Sequence, residues 1–120
     1  MLLLHHGRAE YTLIHPRTPT MPTRVERVIL GPNAHAGEVR QLLIGTGLWK
    51  MSRLLPEDLN TASTERVGCL ISEVAFPGFH WEDHTYLKQE QLENLFAGIQ
   101  GGDTWVKELE AFIKPTWVRD

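Results

Sequence analysis

Residues 67 to 87 read VGCLISEVAFPGFHWEDHTYL, and the reading of this stretch decides the fold. Side chains on a strand point alternately to opposite faces. One row therefore holds Val67, Cys69, Ile71 and Glu73, and the other holds Leu70, Ser72, Val74 and Phe76. Both rows are mostly apolar, which predicts a strand covered on both sides, as in a barrel or sandwich interior. Pro77 and Gly78 then stop the ladder, because proline lacks an N–H and glycine tolerates positive φ. Past that turn, FHWEDH sets two aromatics, two acids and two histidines in six residues.

Working back toward the start, residues 2–6 and 9–15 alternate as strands and read as one hairpin about Gly7-Arg8. Residues 16–22, PRTPTMP, hold three prolines and form a loop. Residues 24–30 give a third strand, 39–44 a fourth and 48–55 a fifth, separated by Gly31-Pro32-Asn33 and Gly45-Thr46-Gly47. Residues 56–64 make a polar excursion with a helical turn. Beyond His84 the period changes. Leu92, Leu95 and Phe96 lie at i, i+3, i+4, the spacing of an amphipathic helix over 90–96. A second helix is capped by Asp103 or Thr104, places Trp105, Val106, Leu109, Phe112 and Ile113 on one face, and stops at Lys114-Pro115. Short strands with Gly/Pro corners followed by one or two C-terminal helices make a mainly β chain, an antiparallel barrel or jelly roll.

The chain has 120 residues, the size of one domain, with the barrel expected over 1–87 and a helical tail over 88–120 packed on it. Its single cysteine, Cys69, excludes an internal disulfide; it reads as inert packing and fits a reducing compartment. No apolar run approaches the roughly 20 residues of a spanning helix, so the expectation is a cytoplasmic protein with no membrane partner. Formal charge is −3 and uneven. Residues 61–120 carry ten acids against five bases, and this acidic surface argues against nucleic acid as a partner.

Three segments carry a family resemblance: GRAEYTLIHP at 7–16, ILGPNAHAGEVRQLLIGTGLWKMSRLL at 29–55, and GCLISEVAFPGFHWEDHTYL at 68–87. In that order they resemble a branch of the cupin superfamily known only as a domain of unknown function, from about Leu4 to Phe96. The resemblance implies a cupin-like double-stranded β-helix (jelly-roll) barrel, similar to that of sugar-nucleotide epimerases, and pairing into homodimers. It also shows departures. Gly7 looks like the glycine that closes the first cupin metal motif, and His5 stands where that motif often has its last histidine. The motif's acid and earlier histidine would fall before Met1 or at Leu3, and Gly47-Leu48-Trp49-Lys50 lacks the histidine of the second motif. The chain thus resembles the C-terminal two-thirds of a family member, which leaves the barrel's completeness open, and no metal or other cofactor is expected. An unfinished barrel would expose a sheet edge and invite pairing with another chain.

Several residues carry chemistry. His80 and His84, at i, i+4, would share a helix face and suit a metal; the plainer reading is a polar strap anchored by Phe79 and Trp81, with Asp83 as a cap. His5 alone does not hold a divalent ion. Glu38, Gln41, Trp49, Lys50 and Glu73 form the better constellation, with Gln41, Trp49, Lys50 and Glu73 as candidate ligand-binding residues at the barrel mouth. A carboxylate in an apolar row must be paired or neutral, so Glu73 in a salt bridge with Lys50, Arg40 or Arg53, and Trp49 in the core, are the structural alternatives. For acid–base chemistry the only candidates are His5 and Tyr11, and no motif ties them together. Gly45-Thr46-Gly47 does not match a phosphate loop. The expectation is a cupin that binds a small polar metabolite in its barrel. The alternatives are a sugar-nucleotide epimerase or isomerase, and a truncated interaction module without a working pocket.

Overall fold

Strand β2, Ala9–His15, is the most enclosed strand among the described residues, with Ala9, Tyr11, Thr12, Leu13 and Ile14 all buried. A strand buried on both faces needs a layer on each side, and the computed structural model supplies both. It describes residues 1–59, 68–76, 78 and 85–113. Among these residues the remaining strands are β1 (Leu2–His6), β3 (Arg24–Leu30), β4 (Gln41–Leu42), β5 (Trp49–Arg53) and β6 (Leu70–Glu73). The helices are α1 (Pro56–Leu59), α2 (Gln89–Phe96) and α3 (Gly102–Leu109), with short 3₁₀ turns at Ala34–Ala36 and Glu110–Phe112.

The strands form two antiparallel three-stranded sheets, ordered β4-β1-β6 and β3-β2-β5. Residues 2–6 and 9–15 are strands as expected, but they do not pair with each other. β1 pairs with β4 and β6, and β2 with β3 and β5. Gly7-Arg8 is therefore a corner from one sheet to the other rather than a hairpin turn. Gly7 takes φ 77°, and a Cβ there would lie 2.1 Å from the Gly68 carbonyl oxygen. That close approach lets the chain fold back over the start of the 68–76 segment. Both strands carry an apolar row, and only opposite sheets let the two rows face each other. This is a mainly β, partial jelly-roll arrangement.

The 67–87 stretch departs from its reading on one face. Ile71 and Cys69 pack into the core between the sheets. The other row is not covered: Leu70, Val74 and Phe76 are 63%, 48% and 65% exposed. β6 ends its sheet at an edge, so its outward row has no facing layer among the described residues. Val67, Pro77 and the whole of FHWEDH, including Phe79, His80, Trp81, Glu82, Asp83 and His84, lie outside the described residues, as does the Lys114-Pro115 stop.

The helices cover the far face of the β3-β2-β5 sheet. Ile14, Leu87, Leu92, Phe96 and Leu109 form one buried cluster, against which Val25, Trp49, Met51, Trp105 and Val106 pack. Leu92 and Phe96 supply the buried face of α2, and Gln91 accepts a hydrogen bond from the Lys88 N–H at 2.9 Å to fix its first turn. The C-terminal end of α2 is held by Arg17, whose Nη2 donates to the carbonyls of Asn94, Leu95 and Ala97, and by the Thr23 hydroxyl, which donates to Leu95 at 2.6 Å. The helix α3 starts at Gly102, one residue before the expected cap. Gly102 is buried so closely on Phe96 that a Cβ would lie 2.4 Å from the Phe96 carbonyl oxygen, and no side chain caps the helix. Arg27 lies 5.2 Å over the Trp105 ring and pairs with Glu108, fastening α3 to the sheet.

Candidate functional site

Residues directly opposite in an antiparallel pair share a face, so the registers define which side chains line the space between the sheets. On the inner face of β3-β2-β5 the rows run Leu30–Ala9, then Val28–Tyr11–Ser52, then Glu26–Leu13–Lys50, then Arg24–His15. The face is apolar at one end and polar at the other. From the other sheet, Leu2, Leu4, Leu42 and Ile71 turn inward, and with Val39, Ile44 and Cys69 they pack on Ala9, Tyr11 and Leu30. The space between the sheets is filled by this apolar cluster at one end and lined by polar side chains at the other.

Toward the polar end, Lys50 on β5 donates from Nζ to Glu73 Oε1 on β6 at 2.6 Å, so the pair bridges the two sheets. Lys50 is 33% and Glu73 60% exposed. An ion pair this open to water contributes about 0–1 kcal/mol, too little to hold the sheets together. Tyr11 stands deeper and is buried. Burial pushes its phenol upward from the ordinary value of 10.0, a hydrogen bond with Ser52 opposes that, and the charge of Glu73 adds to it. The phenol is therefore a neutral hydrogen-bonding group at neutral pH. Burial also pushes the Cys69 thiol up, which suits packing rather than nucleophilic attack. Farther out on the same face, His15 Nε2 meets Glu26 Oε1 at 3.0 Å.

The apolar end is closed by a polar clasp. Arg8 Nε and Nη2 grip Asp58 at 2.8 and 2.9 Å, Nη2 reaches Glu57 at 2.7 Å, and Nη1 reaches Glu38 at 3.2 Å. The three acids drive the guanidinium pKa upward, Asp58 most of all. Glu38 is buried against Gly31, and its other oxygen accepts the Asn33 N–H at 3.0 Å. Both of its oxygens are thus hydrogen-bonded, one to Arg8 and one to backbone.

Of the residues singled out from the sequence, Lys50, Glu73 and Tyr11 come together between the sheets. Trp49 is on the opposite face of β5, in register with Ile14, and packs in the helical cluster. Gln41 is exposed on β4, one residue from the inward Leu42. His5 is exposed and shares a 2.5 Å hydrogen bond with Ser72 Oγ, on the face of β6 turned away from Glu73. His5 and Tyr11 thus lie on different sides of a sheet. Ser52, Glu26 and His15 are lining residues that the sequence did not mark. Only the pairing register brings them next to Tyr11 and Lys50, and a lone strand pattern carries no register.

This two-sheet geometry, with its inward apolar rows and polar mouth, agrees with the match of residues 1–87 to the family model described as cupin superfamily (DUF985). The chain belongs to the cupin superfamily. A relative at 37% identity over 95 residues is the uncharacterized protein YML079W of Saccharomyces cerevisiae. The alignment takes in 78% of this chain and 42% of the yeast protein, so this cupin spans less than half of that relative's length. The described residues hold no ligand set that fits the metal cupin barrels often hold. Among the described residues of this cupin, no three His, Cys, Asp or Glu converge, and His5 is engaged with Ser72 on the outer face. No helix among the described residues is long and apolar enough to cross a membrane.

Proposed function

We propose that this cupin binds a small polar metabolite between its two sheets, with Lys50, Glu73, Tyr11 and Ser52 as the groups that meet it, and that it does so as a homodimer. The observation that supports this reading is the Lys50–Glu73 pair. It joins the sheets at the polar end of the space between them, yet it is exposed enough to open without unfolding the chain. Charged groups that add little to stability are free to exchange partners with a ligand, Lys50 taking an anionic or hydroxyl oxygen and Glu73 taking a donor. The buried phenol of Tyr11 and the Ser52 hydroxyl add neutral hydrogen-bonding groups one row deeper.

A thermal-shift screen with sugar phosphates, nucleotide sugars, hydroxy acids and amino acids tests the reading. At least one class is expected to raise the Tm of the wild-type chain by several degrees, and Lys50→Met and Glu73→Gln to lose most of that rise while melting as wild type without ligand. A rise that survives both substitutions, or no rise with any class, would sink the proposal. A Glu73→Gln chain that fails to fold would make the pair a structural element instead.

A further inference from the structure

The polar end of the space between the sheets carries charge of both signs and neither in excess. Glu26 and Lys50 flank Leu13 on one inward row, and Arg24 lies opposite His15 on the next. Glu73 reaches Lys50 from the other sheet. Lys50 and Arg24 thus balance Glu26 and Glu73, and His15 shares a 3.0 Å hydrogen bond with Glu26. Further cations do not add to this end. Arg8 is held by Glu38, Glu57 and Asp58, Arg17 by the carbonyls of α2, Arg27 by Glu108 and Arg53 by Glu10.

Lys50 Nζ and Glu73 Oε1 are 2.6 Å apart, so a group that touches one lies close to the other. A lone oxyanion on Nζ would face the Glu73 carboxylate, and a lone ammonium on Glu73 would face Nζ. Like charges at that separation repel about as strongly as the new contact attracts. A ligand hydroxyl escapes the repulsion, but it offers neutral bonds in place of the stronger charge-assisted ones. A ligand that presents an anion to Lys50 and a cation to Glu73 is attracted by both. Four charges then alternate in sign around a ring, and the ion pair need not break to admit the ligand.

We infer, on the ligand-binding reading proposed above, that the ligand is an α-amino acid with an uncharged side chain, its carboxylate on Lys50 Nζ and its ammonium on Glu73. An α-amino acid holds its two charges one carbon apart, a spacing that an ion pair in direct contact can meet with both ends. A charged side chain would add an excess that the balanced rows do not neutralise. The phosphate of a sugar phosphate or nucleotide sugar would stand against Glu26 and Glu73 as well as Lys50 and Arg24, with no net attraction. One row deeper, the Tyr11 phenol and the Ser52 hydroxyl are hydrogen-bonded to each other. Each hydroxyl has capacity for a second bond, which suits a side chain that ends in a hydroxyl or an amide.

Isothermal titration calorimetry of the full chain with serine, threonine, asparagine and glutamine is expected to find at least one that binds. For that amino acid, the carboxamide analogue lacks the anion and the α-hydroxy acid lacks the cation. Each analogue should bind wild type at least about tenfold more weakly. Lys50→Met should remove the preference for the amino acid over its carboxamide, and Glu73→Gln the preference over its hydroxy acid. A pair with a merely structural role would leave both preferences unchanged. If either variant melts far below wild type, the analogue comparison on wild type decides alone. A sugar phosphate, nucleotide sugar or hydroxy acid that binds more tightly than every amino acid, and is lost in both variants, overturns the amino-acid assignment while the site stands. Analogues that bind wild type as well as the amino acid overturn it too. Binding that neither substitution alters places the ligand elsewhere and overturns both the site and its ligand class, as does a chain that binds none of these compounds.

Discussion

The Arg8 guanidinium grips the Asp58 carboxylate with two parallel bonds, Nε to Oδ2 at 2.8 Å and Nη2 to Oδ1 at 2.9 Å, fifty residues apart in sequence. The fork ties the corner between the two sheets to helix α1, and its third arm satisfies buried Glu38. Lysine offers a point charge and cannot reproduce a two-pronged contact. Removing the guanidinium also leaves Glu38 buried without its cation. Arg8→Ala is expected to lower unfolding stability by about 2–3 kcal/mol, and Arg8→Lys to recover less than half of the loss. Urea denaturation measures both; equal midpoints for wild type and Arg8→Lys would show that the fork is not needed.

Trp49 has a structural role that is separable from the site. It lies in register with Ile14 and packs on the helical cluster, not beside its sequence neighbour Lys50. Trp49→Ala is expected to cost about 2–3 kcal/mol, the low end for a large aromatic because the residue is only half-buried. Any ligand found by the screen should bind the folded fraction of this variant with unchanged affinity. A binding loss larger than the stability loss explains would return Trp49 to the site.

The strands containing Tyr11, Val25 and Met51 were legible because their alternation is local, and 2–6, 9–15 and 24–30 fall where the pattern puts them. Which strand pairs with which was not. The Gly7-Arg8 corner carries the composition of a hairpin turn, and only the strand pairings, with the close approach of Gly7 to Gly68, show it to be a crossover. The same gap separates the candidate residues: Lys50 and Glu73 share the space between the sheets, whereas Gln41 and Trp49 differ from them by one step of the strand period, which reverses the face. The uncovered Leu70 row has a related cause. Two apolar rows predict two covering layers, but among the described residues nothing packs on the outward face of β6. The 3.6-residue period of α2 was readable because Leu92 and Phe96 are a full turn apart. The α3 start was shifted by a packing demand at Gly102 that no capping rule encodes.

Alkaline pH should weaken the fold through Tyr11. Burial raises its folded-state pKa above the unfolded value of 10.0. The neutral phenol's contribution is therefore complete below pH 10 and is lost as pH rises through the folded value, because the unfolded chain sheds the proton first. Cys69 adds the same sign of loss from its lower reference of 9.0. Denaturation curves between about pH 8 and 11 are expected to show a falling stability whose slope above pH 10 is reduced in Tyr11→Phe, and whose onset moves up in Cys69→Ala. The comparison is one of slopes, since Tyr11→Phe also removes the Ser52 hydrogen bond. Parallel wild-type and Tyr11→Phe curves would count against a buried phenol.

Two glycines with nearly the same backbone separate the cost of conformation from the cost of contact. Gly7 and Gly37 have φ 77° and 82°. A Cβ on Gly37 meets nothing within 4 Å, whereas one on Gly7 would lie 2.1 Å from the Gly68 carbonyl oxygen. Gly37→Ala therefore carries only the penalty of a left-handed conformation, about 1–2 kcal/mol. Gly7→Ala carries that penalty and must also push two segments of backbone apart at the corner where the sheets meet. We expect Gly7→Ala to be destabilised by at least about 2 kcal/mol beyond Gly37→Ala, and to disturb the Lys50–Glu73 bridge because it displaces the strand that carries Glu73. Thermal and urea unfolding of the two variants, side by side, give the difference directly. Equal losses would mean that the 68–76 segment yields freely at Gly68, and that Gly7 is needed for its backbone angle alone.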